Sequence, residues 1–411
     1  MRVTIVTAGH LSTCPRMLKA ADTLHKDGHA VRVVATRHEP WAVEADVDVA
    51  SRRHWVATVV DYRRGDAPLT YWRSGIRYRG ARAAAEALGP AKAPFPIAAR
   101  AFSRVHDELV TAATSQPADF IYGGTTGALA AVAEAATRLK VPYAIDLEDL
   151  HHGESSEADA GFVHSLAGRV EEAVLPGAAF VTTSSDAIGA EYERRYGVRP
   201  ETVHNTFPLP EDPPSFRRAD SSILKVYWFS QTIGHGRGLE EAIDALGLAD
   251  TPSELSLRGR AQPGYLEELT RRATSRAPRL RVLHLPPAPP DSMIDLAHGY
   301  DIGLATEPSE PLNRRLCVSN KILTYILAGL AVISSDLPGV RVVARDFGEG
   351  AELVPAGDVA ALTDAFRHWA ADPSGLERAK RAAWCAAVRR WRWDHPLESG
   401  RLRDLVRGVQ A

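Results

Sequence analysis

The segment 307–336, EPSEPLNRRLCVSNKILTYILAGLAVISSD, places a charged loop, an apolar helix and a buried strand in immediate succession. The loop runs into Ser319-Asn320-Lys321, the helix ends at Gly329, and residues 331–334 have the composition of a buried strand. A loop that leads into a helix N-terminus presents unpaired N–H groups and the positive end of the helix dipole. Because Lys321 adds a positive charge there, the segment predicts an anion site in an α/β fold.

Strand-like and helix-like segments alternate along the whole chain, which predicts parallel, doubly wound sheets. The predicted strands are residues 3–7, 30–35, 120–122, 143–147, 179–183, 201–205, 224–229, 255–257, 281–285, 302–305 and 331–334. The predicted helices include a segment that begins near Pro15 and residues 127–139, 186–196, 238–247, 263–275 and 290–298. Four prolines between residues 207 and 215 predict a linker between two such domains, with ligand bound in a cleft at the strand ends.

Composition narrows the class of protein. The chain has 411 residues, 45% apolar and 24% charged, with a net charge of −2. This is the composition of an ordinary globular protein and argues against nucleic acid as a partner. Three widely separated cysteines give neither a disulfide framework nor a metal spacing, and Met1 leads directly into a strand without a signal peptide. We therefore expect a cytoplasmic protein.

A second glycine-rich loop lies early in the predicted C-terminal domain. Residues 228–239, WFSQTIGHGRGL, predict a strand, a loop with Gly234, Gly236 and Gly238, and a helix start. Arg237 lies within this loop, so a cation and a helix N-terminus again converge, as at Lys321. A plain strand–helix turn is the alternative interpretation.

These two loops resemble the donor-sugar loops of GT-B fold glycosyltransferases, in particular the retaining family 4 group (glycosyl transferases group 1). The resemblance implies two Rossmann-like domains that face a cleft: an acceptor domain at 1–207, a linker at 208–221, a nucleotide-sugar donor domain at 222–385, and a C-terminal helix at 386–411 that crosses back to the first domain. It also implies sugar transfer from a UDP- or GDP-linked donor to an acceptor nucleophile, with retention, without a required metal or other cofactor.

Donor-binding residues follow from the same resemblance. Arg237 stands where the family usually has a lysine that holds the diphosphate, and Asn320 and Lys321 are the other predicted phosphate contacts. Many members carry a ribose-binding glutamate where this chain has Thr324, so Glu310, or alternatively Glu307, is the candidate acidic contact. Arg258, at the end of a predicted strand, is expected to line the pocket or to be solvated.

Three segments of the first domain are candidate acceptor-side sites. Gly9 and His10 follow the first strand, and Gly123 and Gly124 follow another; both pairs could instead be simple turns. The segment Asp146-Leu147-Glu148-Asp149-Leu150 resembles the family stretch Asp-x-His-Glu-Leu, with Glu148 in place of the histidine. Asp146 and Glu148 are the candidate catalytic carboxylates and Asp149 an acceptor-side contact.

Other interpretations of these carboxylates remain open at the level of sequence. Asp146, Glu148 and Asp149 could form a capping and salt-bridge cluster at a helix start. A metal-binding Asp-x-Asp motif is a further alternative, and the segment 46–48 matches it literally. The two-domain layout does not favour that motif, so we predict no metal ligands.

A basic, aromatic tract covers residues 52–104, with eleven Lys or Arg, three Asp or Glu, and therefore a net charge of +8. Such a tract suits an anionic or stacking acceptor, a peripheral contact with a phospholipid surface at the inner membrane face, or simply a solvated surface.

The pathway and the reaction class leave alternatives. A polysaccharide, glycolipid or natural-product pathway would suit the chain. The alternatives to a transferase are a sugar-nucleotide epimerase or hydrolase on the same fold, and a non-catalytic nucleotide-sugar-binding protein. A dinucleotide-dependent dehydrogenase is disfavoured because no GxGxxG follows a predicted strand.

Overall fold

The computed structural model describes residues 1–154, 160–217 and 222–409. It divides into an N-terminal unit, Met1–His204 with Ser399–Ala411, and a C-terminal unit, Asn205–Glu398. Part of the predicted linker, residues 218–221, and the last two residues of the predicted C-terminal helix lie outside the described residues. No helix in the described ranges is long and apolar enough to cross a bilayer.

The N-terminal unit contains, within its described residues, a parallel sheet of order β3-β2-β1-β4-β5-β6-β7. Its strands are β1 (Arg2–Thr7), β2 (Ala30–Arg37), β3 (Val56–Asp61), β4 (Phe120–Gly124), β5 (Tyr143–Leu147), β6 (Val181–Thr183) and β7 (Glu201–Thr202). Its helices up to β7 are α1 (Pro15–Lys26), α2 (Val43–Ser51), α3 (Pro68–Leu88), α4 (Phe95–Phe102), α5 (His106–Thr114), α6 (Leu129–Leu139), α7 (Ala160–Val174) and α8 (Asp186–Tyr196).

The C-terminal unit contains, in the same described ranges, a parallel sheet of order β10-β9-β8-β11-β12-β13. Its strands are β8 (Leu224–Ile233), β9 (Ser253–Ala261), β10 (Leu280–Leu285), β11 (Ile302–Ala305), β12 (Ala331–Ser335) and β13 (Ala351–Val354). Its helices are α9 (Leu239–Ala249), α10 (Tyr265–Arg276), α11 (Leu312–Leu316), α12 (Asn320–Leu327), α13 (Pro338–Ala344), α14 (Val359–Ala371) and α15 (Pro373–Arg389); the final helix, α16 (Arg401–Gly408), returns to the N-terminal unit.

Both sheets reverse their strand order at one point, between β1 and β4 in the N-terminal unit and between β8 and β11 in the C-terminal unit. Ligands of such open sheets bind beyond the carboxyl ends of the strands at this reversal. The strands that flank it are apolar and almost fully buried, as in Val3, Ile5, Ile302 and Leu304. Burial of both faces explains why these strands read as continuous hydrophobic runs.

The predicted fold class is confirmed: two parallel-sheet, Rossmann-like units are present. The strands at 143–147 and 302–305 have the predicted limits. The helix predicted at 290–298 is wrong, because Pro290–Ser292 and Asp295–Ala297 form two separate 3₁₀ turns.

The proline-rich segment predicted as a linker packs on the C-terminal unit over its described part. A side chain at Gly329 would clash with Pro214, since its Cβ would lie 2.4 Å from Pro214 Cγ. The guanidinium of Arg381 lies 4.7 Å above the Phe216 ring. These contacts explain why residues from Asn205 onward cluster with the C-terminal unit.

Candidate active site

The loop between β8 and α9 is shaped by two glycines. Gly236 and Gly238 adopt left-handed φ values of +67° and +74°, which favour glycine. A Cβ on Gly238 would also lie 2.0 Å from the backbone oxygen of Thr306, so this loop and the end of β11 touch directly. The contact brings the N-terminus of α9 beside the residues that follow β11.

Lys321 in the first turn of α12 points at a buried carboxylate. Its Nζ lies 2.6 Å from Oε1 of Glu307, which follows β11, and 5.2 Å from the centroid of the Trp228 ring. Both side chains of the pair are nearly buried, with exposures of 9% for Lys321 and 11% for Glu307. The helix start and the loop after β11 therefore hold one cation in a defined position.

Two arginines approach the same carboxylate. Arg237 Nη1 lies 3.9 Å from Glu307 Oε2. Arg314 donates to the backbone oxygen of Gly236 at 2.7 Å, which ties α11 to the glycine loop. Burial and the nearby charge of Arg237 lower the pKa of Arg314. Three cations thus gather around one acidic group.

Glu307 is ionised in this setting but incompletely satisfied. Its burial opposes ionisation, yet the charges of Lys321, Arg237 and Arg314 hold the pKa of Glu307 below its ordinary value. Within the described part of the chain, its Oε2 atom is buried without a hydrogen-bond partner. One carboxylate against three cations leaves this cluster with an excess of positive charge.

A cavity of about 380 Å³ opens beside this cluster within the C-terminal unit. The glycine loop and the ends of β11, β12 and β13 contribute to its lining, with Gly236, Gly238, Thr306, Pro308 and Ser335 among the lining residues. It lies at the carboxyl ends of the strands, where the sheet topology predicts a ligand.

The structure disperses some predicted donor residues. Gly234 is buried and packs on Gln262, whose side chain would meet a Cβ at that position. Glu310 lies on the exposed loop, and the carboxylate beside Lys321 is Glu307. Thr324 is buried and donates its hydroxyl to the backbone oxygen of Asn320 at 3.0 Å.

Arg258 is neither solvated nor part of the cation cluster around Glu307. Its guanidinium is buried and donates to the Tyr227 hydroxyl at 2.8 Å and to the Pro286 oxygen at 2.9 Å. These bonds satisfy the side chain from within the protein, so we revise its role to a structural one.

One cluster in the described residues has the composition of a metal site: His235, Glu240 and Glu268. His235 Nδ1 lies 3.2 Å from Glu240 and Nε2 lies 3.6 Å from Glu268. Each ring nitrogen of the imidazole thus has a carboxylate nearby, and the His235 side chain is 64% exposed.

In the N-terminal unit, Asp146 has a structural role. Arg16 donates from Nε and Nη2 to the two Asp146 oxygens, both at 2.7 Å, and the hydroxyls of Tyr122 and Thr182 donate to the same carboxylate. Arg16 also donates to the backbone oxygens of Val203 and Thr183. Because Asp146 is fully buried and saturated with donors, we revise its predicted catalytic role.

Glu148 differs from its neighbour Asp146 in chemistry. Burial and, next, the negative charge of Asp149 raise the pKa of Glu148 to about 7. A carboxyl group with such a pKa can exchange protons near neutral pH. Among the candidates of the N-terminal unit, Glu148 therefore has the properties of an acid–base group, with Asp149 as a residue that tunes it.

His10 and Gly9 are held by the protein itself. His10 Nδ1 lies 2.6 Å from Asp46, and its Nε2 accepts the backbone N–H groups of His38 and Glu39. Gly9 is required by packing, since a Cβ would lie 2.6 Å from the sulfur of Cys14. The predicted substrate contact of His10 is thus replaced by an internal network.

The Asp-x-Asp alternative at residues 46–48 also fails. Asp46 turns inward on α2, where it binds His10 and accepts from the N–H and hydroxyl of Ser12. Asp48 pairs instead with Arg52 on the exposed side. A pair of carboxylates that point in different directions cannot chelate one ion.

Gly123 and Gly124 lie inside β4 rather than in a ligand loop. A Cβ on Gly123 would lie 2.5 Å from the backbone oxygen of Val6, and one on Gly124 would lie 2.8 Å from Cβ of Asp146. The residue with an unusual backbone is the next one, Thr125, at φ +79°. Its hydroxyl accepts the Ala8 N–H at 3.0 Å, where the strand order of this sheet reverses.

The structure adds a buried network that sequence reasoning missed. His151 Nδ1 lies 2.6 Å from Glu154 and 3.0 Å from the Thr126 hydroxyl, and hydrogen bonding to Glu154 raises the pKa of His151 to about 9 against the opposing effect of burial. His152 Nδ1 lies 2.9 Å from the buried Glu171. Two adjacent histidines directly after the acidic segment Asp146-Leu147-Glu148-Asp149-Leu150 were the available signal.

Comparison with known proteins gives the class. Residues 15–206 match the family described as "Glycosyl transferase 4-like domain". No curated protein matches the chain. This match over the N-terminal unit, together with the two-domain fold, supports the resemblance inferred from the loops: residues 15–206 form a glycosyl transferase 4-like domain within a GT-B fold.

Solved structures agree on the fold. Anabaena Alr3699/HepE, in complex with UDP and glucose, has a TM-score of 0.66 at 16% identity, with 100% of this chain and 99% of that chain covered. A glycosyltransferase from Rickettsia africae ESF-5 has a TM-score of 0.66 at 10% identity, with 100% and 98% covered. S. aureus TarM, in complex with fondaparinux, α-GlcNAc-glycerol and UDP, has a TM-score of 0.68 at 7% identity, with 99% of each chain covered.

Proposed function

We propose that the protein transfers a sugar from a nucleoside diphosphate sugar to an acceptor nucleophile, with retention of anomeric configuration and without a resident metal or cofactor. The observation that carries the proposal is the convergence of Arg237, Arg314 and Lys321 around Glu307, next to the N-terminus of α9. An excess of cations at a glycine-bounded helix start fits a diphosphate.

The cations also suit the chemical step. As the bond between the sugar and the diphosphate breaks, negative charge develops on the leaving phosphate. Arg237 and Lys321 stabilise that charge in place, as a bound metal ion would in other enzymes. The fixed positions of these two side chains matter, because charged groups that need not rearrange during the reaction lower its activation barrier most.

Glu148 is the proposed acid–base group on the acceptor side. A carboxyl with a pKa of about 7 takes up the proton of an acceptor hydroxyl more readily than an ordinary glutamate. Glu148 replaces the histidine of the family stretch, and a near-neutral pKa preserves the proton-transfer range of that side chain.

The donor nucleotide is proposed to be UDP, with GDP as the alternative. HepE and TarM were solved with UDP, and these likenesses extend over the whole chain. A thermal-shift screen against UDP, GDP, ADP and TDP tests this choice, because a ligand that binds the native state raises the apparent stability. We expect the largest rise with UDP, and no rise with any of the four would contradict the proposal.

A product assay separates the alternatives. With a UDP-sugar alone, an epimerase or hydrolase would consume the donor, whereas the proposed transferase needs an acceptor. A non-catalytic binding protein would raise its melting temperature with UDP and consume no donor with any acceptor. We further propose a cytoplasmic location, peripheral contact with the inner membrane face through the 52–104 region, and a role in polysaccharide or natural-product biosynthesis.

A further inference from the structure

The exposed face of α3 is apolar along much of its length. Leu69, Trp72 and Ile76 are 70%, 48% and 65% exposed. Their spacing of three and then four residues places them on one side of the helix, and Ala83 continues the same stripe. Small residues, Ser74, Gly75 and Ala85, are buried. Several of the largest apolar side chains of this helix therefore lie toward solvent, whereas small residues are buried beneath it.

Arginines border this stripe. Arg73 and Arg79 are exposed and flank it on either side of the helix. The guanidinium of Arg64, in the loop before α3, lies 5.5 Å from the centroid of the Trp72 ring. Among the residues that the structure describes, no carboxylate lies within 4.0 Å of these three arginines.

Elsewhere the basic tract is neutralised internally. Several of its other arginines form ion pairs with carboxylates: Arg52 with Asp48, Arg53 with Asp22, Arg63 with Asp61, Arg77 with Glu108 and Arg100 with Asp107. The +8 charge of residues 52–104 thus overstates the free positive charge. The α3 arginines without a carboxylate partner among the described residues, Arg73 and Arg79, lie beside the exposed apolar side chains of Leu69, Trp72 and Ile76.

We infer that this face of α3, with Arg64, is a docking surface for an anionic phospholipid bilayer. A helix that lies in the membrane interface buries an apolar stripe at the acyl boundary and places cations among the headgroups. Tryptophan and arginine suit that boundary because each combines an apolar body with a polar end.

Charge decides against a second copy of the chain as the occupant. A twofold dimer through this face would set Arg73 and Arg79 near the same arginines of the other copy. Anionic headgroups instead match the arginines, and the acyl region matches Leu69 and Ile76. The inference specifies the residues of the peripheral contact and does not depend on the proposed donor site, which lies in the C-terminal unit.

Vesicle co-sedimentation tests the inference with the full-length protein. The probes are vesicles of phosphatidylcholine alone and of phosphatidylcholine with phosphatidylglycerol, at about 0.1 M and 0.5 M NaCl. We expect binding to the anionic vesicles that weakens at high salt, since screening reduces attraction between charged surfaces. Arg73→Glu/Arg79→Glu should lower the partition constant about tenfold or more, and Leu69→Ser/Ile76→Ser should lower it at both salt concentrations.

The matched control changes the same residue types on the C-terminal unit. Leu248 and Arg271 are exposed there, so Leu248→Ser/Arg271→Glu should bind the vesicles as the wild type does. Melting temperatures of all variants check that they fold, and UDP thermal shifts should be equal in all of them. Equal binding of wild type and α3 variants, no binding of the wild type to anionic vesicles, or a wild-type dimer that the α3 variants abolish would overturn the inference.

Discussion

Each unit of the molecule buries a carboxylate among cations, and the two arrangements differ in balance. In the N-terminal unit, Asp146 faces one cation, Arg16, and its two oxygens together accept four hydrogen bonds from the protein. In the C-terminal unit, Glu307 faces Lys321 and Arg237, and its buried Oε2 has no hydrogen-bond partner among the described residues. The charges of the first arrangement balance each other, whereas the second arrangement carries a net positive charge.

The difference separates two kinds of buried charge. A saturated pair such as Arg16 and Asp146 joins α1 to β5 and leaves nothing for a ligand. An unbalanced cluster needs an anion to be fully compensated, and the diphosphate of a nucleotide sugar supplies one. Four substitutions test this difference between the two units.

The largest expected effect is on stability in the N-terminal unit. Asp146→Asn leaves the Arg16 charge buried without its counterion, which should cost about 3–5 kcal/mol of unfolding free energy. Chemical denaturation measures this loss. Asp48→Asn, which breaks the exposed pair with Arg52, serves as the control and should cost no more than about 1 kcal/mol. Similar losses of unfolding free energy in the two variants would contradict the distinction between the buried pair and the exposed pair.

The next effect is on nucleotide affinity in the C-terminal unit. Lys321→Ala removes the proposed phosphate contact, and because a charged hydrogen bond is worth about 1.5–3 kcal/mol, UDP should bind roughly 10–100-fold more weakly. Calorimetric titration measures the change. Arg341→Ala is the control, because Arg341 pairs with Asp336 on the exposed surface and should leave UDP affinity unchanged.

Glu307→Gln should have the opposite sign. The amide keeps the size of the side chain but removes the negative charge that competes with the diphosphate for Lys321 and Arg237. UDP should bind about tenfold more tightly, and uridine, which has no phosphate, should bind as before. Weaker UDP binding in this variant would show that Glu307 orients the cations more than it offsets their charge.

The smallest effect is a pH dependence of stability from Glu148. Its pKa of about 7 lies above the ordinary value of 4.5, so the folded state holds this proton more tightly than the unfolded state. Ionisation then costs stability between about pH 4.5 and 7. Across this range the melting temperature of the wild type should fall relative to Glu148→Gln, by roughly 2–4 °C for each kcal/mol of stability lost. A constant difference between the two proteins would contradict the raised pKa.

Sequence patterns were sufficient for the fold and for the positions of two residues of the cation cluster around Glu307. Continuous apolar strands and glycine-bounded helix starts are local features, so the alternation of β8, α9 and β11 could be predicted. Arg237 and Lys321 could be predicted for the same reason, since each lies beside a helix start.

Tertiary partners were beyond local patterns. The pairing of Asp146 with Arg16 joins residues 130 positions apart, and that of His10 with Asp46 joins residues 36 apart. Without those partners, a buried structural carboxylate looks like a catalytic one. Gly123 and Gly124 were misinterpreted likewise, because their close neighbours come from other elements.

The central claim is that the cation cluster of the C-terminal unit binds the diphosphate. Its most direct test is calorimetric titration of wild type and Arg237→Ala/Lys321→Ala with UDP, UMP and uridine. We expect wild-type affinity to fall steeply from UDP to UMP to uridine, and this gradient to collapse in the double variant while uridine binding persists. The same gradient in both proteins would contradict the claim.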